Sequence, residues 1–176
     1  MIVLILILVN IVFYAISPEK IVDLIGIENV YAAIFLIATF GGLNTFSSPI
    51  LYSAVAGFAA EGASPWLLGL FGGVGVAIGD LLVFSLFRLG LTGISGAVQG
   101  RAERAQRWLD KVPRSLQLMF LYLVLGFTPI PNDIVMAGLV VLRYNLRVVA
   151  PMIIVADITF VMIVAHTGDT LLSSVL

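Results

Sequence analysis

The sequence predicts an all-α integral membrane protein, an inverted repeat of two re-entrant helical hairpins plus transmembrane helices, in one membrane domain covering residues 1–176. Composition is the first reason: 61% of the residues are hydrophobic and 11% charged, with a mean hydropathy of +1.15, whereas soluble domains have about 25% charged residues. The second reason is that two apolar stretches are interrupted by proline and polar residues near their middles. The third is the one-sided distribution of the cations.

Three segments are predicted to cross the membrane as single helices. Residues 1–16 are nearly continuous Ile, Leu and Val, and they lack the basic n-region and small-residue cleavage site of a signal peptide, which is the alternative. Residues 65–88 and 148–166 are long enough, at about 1.5 Å per residue, to cross a hydrocarbon core of about 30 Å. Each of these two segments places one aspartate, Asp80 or Asp157, at membrane depth.

Residues 30–62 are predicted to form the first re-entrant hairpin. Two apolar runs flank a polar, helix-breaking segment that includes Asn44, Ser47, Ser48 and Pro49. Interrupted backbone at membrane depth is tolerated only inside protein or beside a water-filled cavity. The polar groups of this tip could bind a substrate headgroup, or they could cap the helix ends.

Residues 116–142 are predicted to form the second re-entrant hairpin. Pro129 and Pro131 each lack a backbone donor and exclude the preceding residue from the helical region, so the helix must stop there. Asn132 and Asp133 follow at once. An ionisable side chain at membrane depth costs a few kcal/mol on insertion scales and commonly marks a substrate or ion pathway.

The two halves of the chain follow the same plan, with a proline at the hairpin tip, then Ala-Gly, then an aspartate in a full span. These positions are Pro49, Ala56-Gly57 and Asp80 in the first half, and Pro131, Ala137-Gly138 and Asp157 in the second. Because one full span separates the hairpins, the second must enter from the opposite membrane face. The result is an inverted-topology repeat.

The cations support this topology. With each hairpin returning to its own side, eight of the nine share one face: Arg88, Arg101, Arg104, Arg107, Lys111, Arg114, Arg143 and Arg147. The positive-inside rule then places the N-terminus and the basic loop 91–114 in the cytoplasm. Residues 101–112 are predicted to form a basic amphipathic helix on the membrane surface, with a solvated connector as the alternative.

The candidate substrate- or proton-binding residues are the polar and proline residues of the tips, the aspartates within the membrane, and three arginines. They are Asn44, Ser47, Ser48, Pro49, Asp80, Arg88, Pro129, Pro131, Asn132, Asp133, Arg143, Arg147 and Asp157. The aspartates could carry protons or form structural pairs with Arg88 or Arg143. Arg143 and Arg147 lie where a phosphate from the cytoplasmic leaflet would arrive, although simple snorkelling would also place them there.

Several function classes are disfavoured. A net charge of −1 argues against a nucleic-acid partner. The chain has no cysteine and one histidine, so Cys-ligated zinc and His-rich metal sites are excluded. The sequence contains neither a nucleophile elbow nor a P-loop. We therefore expect a protein that is not an enzyme and needs no metal or cofactor.

Two motifs resemble those of the VTT/DedA (SNARE-associated Golgi protein) superfamily. The run Gly79-Asp80-Leu81-Leu82-Val83-Phe84-Ser85-Leu86-Phe87-Arg88-Leu89-Gly90 resembles the signature that ends the first repeat of that superfamily. The stretch Pro129-Ile130-Pro131-Asn132-Asp133, with Ala137-Gly138 and Arg143-Tyr144-Asn145 behind it, is similar to the second re-entrant motif of short prokaryotic members. The resemblance covers about residues 35–168. It implies opposed re-entrant loops, a prokaryotic plasma membrane, and the scrambling of phospholipids or recycling of polyprenyl phosphates, with or without coupling to protons.

The sequence therefore predicts a membrane lipid transporter or scramblase that moves phospholipid or polyprenyl-phosphate headgroups between leaflets. Its expected partners are membrane lipids with anionic headgroups. The alternatives are a proton-coupled exporter of small molecules or ions and a non-transporting membrane scaffold. The lipid, the driving force and the oligomeric state stay open, with a homo-oligomer among the alternatives.

Overall fold

The structure is a computed structural model that describes residues 27–41, 48–90, 96–128 and 130–173. The described residues form seven α-helices and no strand: α1 (Ile27–Gly41), α2 (Ser48–Ala60), α3 (Pro65–Gly90), α4 (Gly96–Leu109), α5 (Arg114–Phe127), α6 (Asn132–Val141) and α7 (Leu146–Ser173). The prediction of an all-α protein is confirmed for this part of the chain. The predicted first transmembrane helix, residues 1–16, and the tip residues Asn44, Ser47 and Pro129 lie outside the described residues.

The two long helices, α3 and α7, form the centre of the fold. They contain 26 and 28 residues, and both are long and apolar enough to cross a membrane. They pack antiparallel, with Gly69 against Met162 and Gly73 against Ile158. A Cβ atom on Gly73 would lie 2.3 Å from the Cα of Ile158. The absence of a side chain at this position is therefore what lets the two backbones come so close.

The helices α1 and α2 form a pair, here called hairpin 1, whose ends meet. The backbone N–H of Ser64, just after α2, donates to the hydroxyl of Tyr31, near the start of α1. The distance between the nitrogen and the oxygen is 3.0 Å. The helices have 15 and 13 residues, so each is about 20 Å long and shorter than a hydrocarbon core of about 30 Å.

The helices α5 and α6 form the second pair, hairpin 2, which closes in the same way. The Tyr144 hydroxyl, after α6, donates to Oε1 of Gln117 near the start of α5. The guanidinium of Arg114 lies over the Tyr144 ring, 5.3 Å from its centroid. These helices have 14 and 10 residues, again too short to cross a core of about 30 Å.

Each hairpin contacts both long helices. The first helices, α1 and α5, pack on the long helix that follows them, α3 and α7 respectively. The second helices reach across to the other long helix, so α2 packs on α7 and α6 packs on α3. The two halves of the chain are therefore interlocked around α3 and α7.

The second helices of both hairpins, α2 and α6, also end in the same turn. Two backbone N–H groups donate back into the last helical turn: Gly62 to Ala59 and Ala63 to Phe58 in hairpin 1, and Arg143 to Val140 and Tyr144 to Leu139 in hairpin 2. This is the Schellman arrangement, which needs a left-handed residue. That residue is Gly62 (φ 90°) in hairpin 1 and Arg143 (φ 55°) in hairpin 2.

The helix bounds differ in places from the predicted segments. The helix predicted at 101–112 corresponds to α4, which begins at Gly96 and ends at Leu109. The chain turns between Leu109 and Pro113, where the N–H of Val112 donates to the Leu109 carbonyl, because the residue before a proline disfavours the helical region. The last helix, predicted at 148–166, continues to Ser173.

The apolar core is divided into two clusters. Hairpin 1 packs with the first part of α3 and the last part of α7, and hairpin 2 packs with the last part of α3 and the first part of α7. The antiparallel arrangement gathers exposed cations at the hairpin 2 end: Arg88, Arg114, Arg143 and Arg147. Asp80 and Asp157 lie between the two clusters.

Candidate functional site

Two buried aspartates meet near the middle of the long helices. Asp80 of α3 and Asp157 of α7 are 1% and 2% exposed. Asn132, the first residue of α6, joins them, since its Nδ2 lies 2.6 Å from Oδ2 of Asp80 and 3.4 Å from Oδ1 of Asp157. We call these three residues the Asp-Asn-Asp site. They come from three different helices, α3, α6 and α7.

The break between α5 and α6 places Asn132 at this site. Thr128 ends α5, with its N–H and its hydroxyl both donating to the Val124 carbonyl, at 3.2 and 2.5 Å. Pro131 then precedes α6 with an extended backbone, φ −55° and ψ 120°. Asn132 follows at the N-terminus of α6, where the helix dipole is positive and favours nearby carboxylates.

The Asp-Asn-Asp site is rich in acceptors and poor in donors. Oδ2 of Asp157 is buried and has no hydrogen-bond partner among the described residues. The structural pair of Asp80 with Arg88 is not formed, because Arg88 is exposed and lies about 12 Å further along α3. Buried charge without a cation or a full set of hydrogen bonds is costly. A proton, a cation or a substrate donor would relieve that cost.

A cavity of about 370 Å³ adjoins the site. Ser48 and Pro49 line it from the start of α2, and Pro131 and Asn132 line it from the start of α6. Asp157 forms part of its wall. The tips of both hairpins therefore border one space, with a carboxyl group at its edge.

The structure brings together six of the predicted site residues: Ser48, Pro49, Asp80, Pro131, Asn132 and Asp157. Asp133 is half-buried in the first turn of α6, next to Asn132 in the chain. The predicted arginines lie elsewhere: Arg88, Arg143 and Arg147 are exposed at the hairpin 2 end. Arg147 lies about 15 Å along α7 from Asp157.

Sequence reasoning missed Tyr52, Thr128 and Phe160, all of which line the cavity. The rings of Tyr52 and Phe160 meet edge to face with centroids 5.1 Å apart. Tyr52 could have been found from the sequence, because it stands three residues after Pro49 in an apolar run. A buried phenol needs a polar neighbour, which indicates a polar site nearby.

The described residues thus have the features of a helical membrane protein with a polar centre: two long apolar helices, two helical hairpins and a buried acid pair. Comparison of the chain with protein-family models, with curated proteins and with solved structures finds no match. The likeness to the VTT/DedA superfamily therefore rests on the two quoted motifs. Those motifs contain Asp80 and Asn132, which the fold brings into contact.

Proposed function

We propose that this protein is a membrane lipid transporter or scramblase that moves phospholipid or polyprenyl-phosphate headgroups between leaflets. The observation that supports this best is the Asp-Asn-Asp site, halfway along two apolar helices and beside a cavity bordered by both hairpin tips. Polar groups at such depth favour a substrate path.

In this proposal, α3 and α7 span the membrane, and the hairpins re-enter it from opposite faces as an inverted repeat. The crossed packing of the hairpins on α3 and α7 supports a repeat, as do the matching turns after α2 and α6. The hairpin 2 end faces the cytoplasm because its cations obey the positive-inside rule. Arg143 and Arg147 attract lipid phosphates from that leaflet.

The headgroup crosses through the cavity between the hairpin tips while the acyl tails remain in the hydrocarbon. Ser48 and Asn132 offer hydrogen bonds to it, whereas Leu125, Phe160 and Val161 form apolar wall. An anionic phosphate beside Asp157 is repelled unless the acid pair holds a proton. Proton binding at the Asp-Asn-Asp site is therefore part of the proposed transport cycle.

Reconstitution into liposomes tests the proposal. The wild-type protein should accelerate exchange of a labelled phospholipid or polyprenyl phosphate between leaflets, and Asp157→Asn should change the rate or its pH dependence at least about tenfold, about 1.4 kcal/mol in the barrier. Asp110→Asn is the matched control, because Asp110 is exposed and follows α4, far from the cavity in the fold. If the wild-type protein accelerates the exchange of neither lipid, lipid transport is contradicted.

A second candidate function is proton-coupled export of small molecules or ions. The acceptor-rich centre favours it, because neither aspartate pairs with a cation in the described part of the chain and Oδ2 of Asp157 is unsatisfied. A flux of a soluble solute that follows the pH gradient, is lost in Asp133→Asn or Asp157→Asn, and leaves lipid exchange unaffected would establish this function in place of the first.

A further inference from the structure

A second concave surface lies away from the Asp-Asn-Asp site, between the end of α4 and hairpin 2. It has a volume of about 420 Å³, and we call it the α4 groove. Trp108 and Val112 line it on one side, and Phe120, Val135 and Leu139 line it on the other. It extends along α5 from Leu116 to Val124, a distance of about 12 Å.

Gln117 near the start of α5 and Tyr144 just after α6 are hydrogen-bonded to each other and form the polar part of the α4 groove lining. Gln117 donates to the carbonyls of Leu109 and Val112, at 2.7 and 2.9 Å, and accepts from the Tyr144 hydroxyl. The Gln117 amide and the Tyr144 hydroxyl therefore have hydrogen-bond partners within the protein, and they do not need a ligand to supply them. Arg114 does not line the groove, but its guanidinium lies 5.3 Å from the centroid of the Tyr144 ring, which does.

The groove therefore has an apolar interior about 12 Å long, and its Gln117–Tyr144 end, which we call the mouth, lies next to a cation. Lys111 and Asp110, both exposed, lie between the lining residues Leu109 and Val112 in the chain, so the charges next to the mouth are two cations and one anion. The mouth is at the cation-rich end of the molecule, where α3 and α6 end and α7 begins. A soluble anion would leave the apolar wall uncovered, and an uncharged lipid would leave the cations unused.

We propose that the α4 groove binds one anionic phospholipid, with an acyl chain along α5 and its phosphate at Arg114 and Lys111. The lipid is a resident ligand that holds α4 against hairpin 2 at the membrane surface. Charge complementarity decides the class of ligand, because cations next to the headgroup region attract anionic lipids. The proposal requires the protein to lie in a membrane, and it does not require transport.

Thermal unfolding of the delipidated full-length protein in detergent tests the proposal. Phosphatidylglycerol should raise the melting temperature at lower concentrations than phosphatidylcholine with the same acyl chains. Arg114→Gln should weaken the phosphatidylglycerol effect about fivefold in apparent affinity, the effect expected of one cation near an anionic headgroup. Arg104→Gln removes an exposed cation of α4 that, unlike Arg114, is not the one over the Tyr144 ring; it should change the effect less than about twofold by the same reasoning.

Val135→Phe provides an independent variant, because it fills the groove from α6 and leaves every cation in place. It should abolish the stabilisation by phosphatidylglycerol. Three outcomes would each overturn the proposal. The first is equal stabilisation by both lipids, and the second is stabilisation by glycerol phosphate, which has no acyl chains. The third is cross-linking that shows a second copy of the chain covering the groove. Lipid exchange in liposomes is measured separately, so a failed transport assay leaves this outcome unaffected.

Discussion

Hairpin 1 and hairpin 2 have the same plan but different packing. In α2, five residues are buried, whereas α5 and α6 each bury three. A Cβ atom on Gly168 of α7 would lie 2.5 Å from the Cα of Ala56, and one on Gly75 of α3 would lie 2.6 Å from the Phe35 carbonyl oxygen. Hairpin 1 is thus in backbone-level contact with both long helices.

Hairpin 2 has no such contact at its own glycines. A Cβ atom on Gly126 would have its nearest neighbour at 3.5 Å, and one on Gly138 would have none within 4 Å. Hairpin 2 is held by side-chain packing, by the closure at Tyr144 and by the Asn132 bridge to both aspartates. We therefore expect hairpin 1 to be the fixed half of the molecule, and hairpin 2 to be the half that moves when the acid pair changes its proton or ligand.

The largest effect should come from adding a methyl group at the tight contacts of hairpin 1. Gly168→Ala should destabilise the fold by about 3 kcal/mol, because the new Cβ meets backbone that cannot move aside. Gly138→Ala in hairpin 2 is the matched control and should be neutral or stabilising, since alanine favours a helix by up to about 1 kcal/mol over glycine. Melting temperatures in detergent measure both, and equal losses would show that the hairpins are packed alike.

A smaller effect should follow from removing the amide that joins hairpin 2 to the acid pair. Asn132→Leu leaves Asp80 and Asp157 without their shared donor, so we expect a loss of about 1 to 3 kcal/mol. Hydrogen exchange should become faster in α5 and α6 and remain unchanged in α1 and α2. Faster exchange in hairpin 1 would contradict the assignment of hairpin 2 as the freer half.

The tyrosines that close the hairpins should have effects of about 1 kcal/mol each. Tyr31→Phe removes the acceptor of the Ser64 N–H. Tyr144→Phe removes a donor to Gln117, whose amide keeps its two bonds to backbone carbonyls. The loss at Tyr31 should therefore be the larger of the two. Chemical unfolding of the single variants against wild type decides the order.

Effects of the same size, but of opposite sign, should be found at the two left-handed residues. Gly62→Ala should destabilise the fold by about 1 kcal/mol, because a side chain disfavours the left-handed region. Arg143→Gly should stabilise it by a similar amount, because it relieves the same cost. The two melting temperatures, compared with wild type, test whether these positions are equivalent, and shifts of the same sign would show that they are not.

The positions of the helices were largely predictable because they depend on local chemistry. The apolar run after Pro65 predicted α3, and the Pro-Ile-Pro stretch predicted the break between α5 and α6. The extension of α7 past His166 was missed. There the Thr167 and Thr170 hydroxyls donate to carbonyls four residues earlier, at 2.7 and 2.9 Å, so polar side chains that suggested a helix end are satisfied within the helix.

The candidate site was predictable as a set of residue types, though not as a geometry. Asp80, Asp157 and Asn132 were all candidates because polar groups are costly in an apolar segment. Their contact, and the separation of Arg88, Arg143 and Arg147 from them, could not be read from spacing. Arg88 and Arg147 share helices with Asp80 and Asp157, and Arg143 follows the helix that Asn132 begins. All three arginines are nevertheless exposed at one end of the molecule.

The sequence by itself determined the all-α character of the described residues, the break between α5 and α6, and the identity of the buried acids, because composition, proline and charge act within a few residues of where they occur. Only the tertiary structure decided that Asn132 lies against Asp80 and Asp157, residues 52 and 25 positions away. That contact depends on how closely α3 and α7 approach at Gly73 and on which long helix α6 crosses. Both depend on packing between segments that are distant in sequence, and a local sequence pattern does not specify such packing.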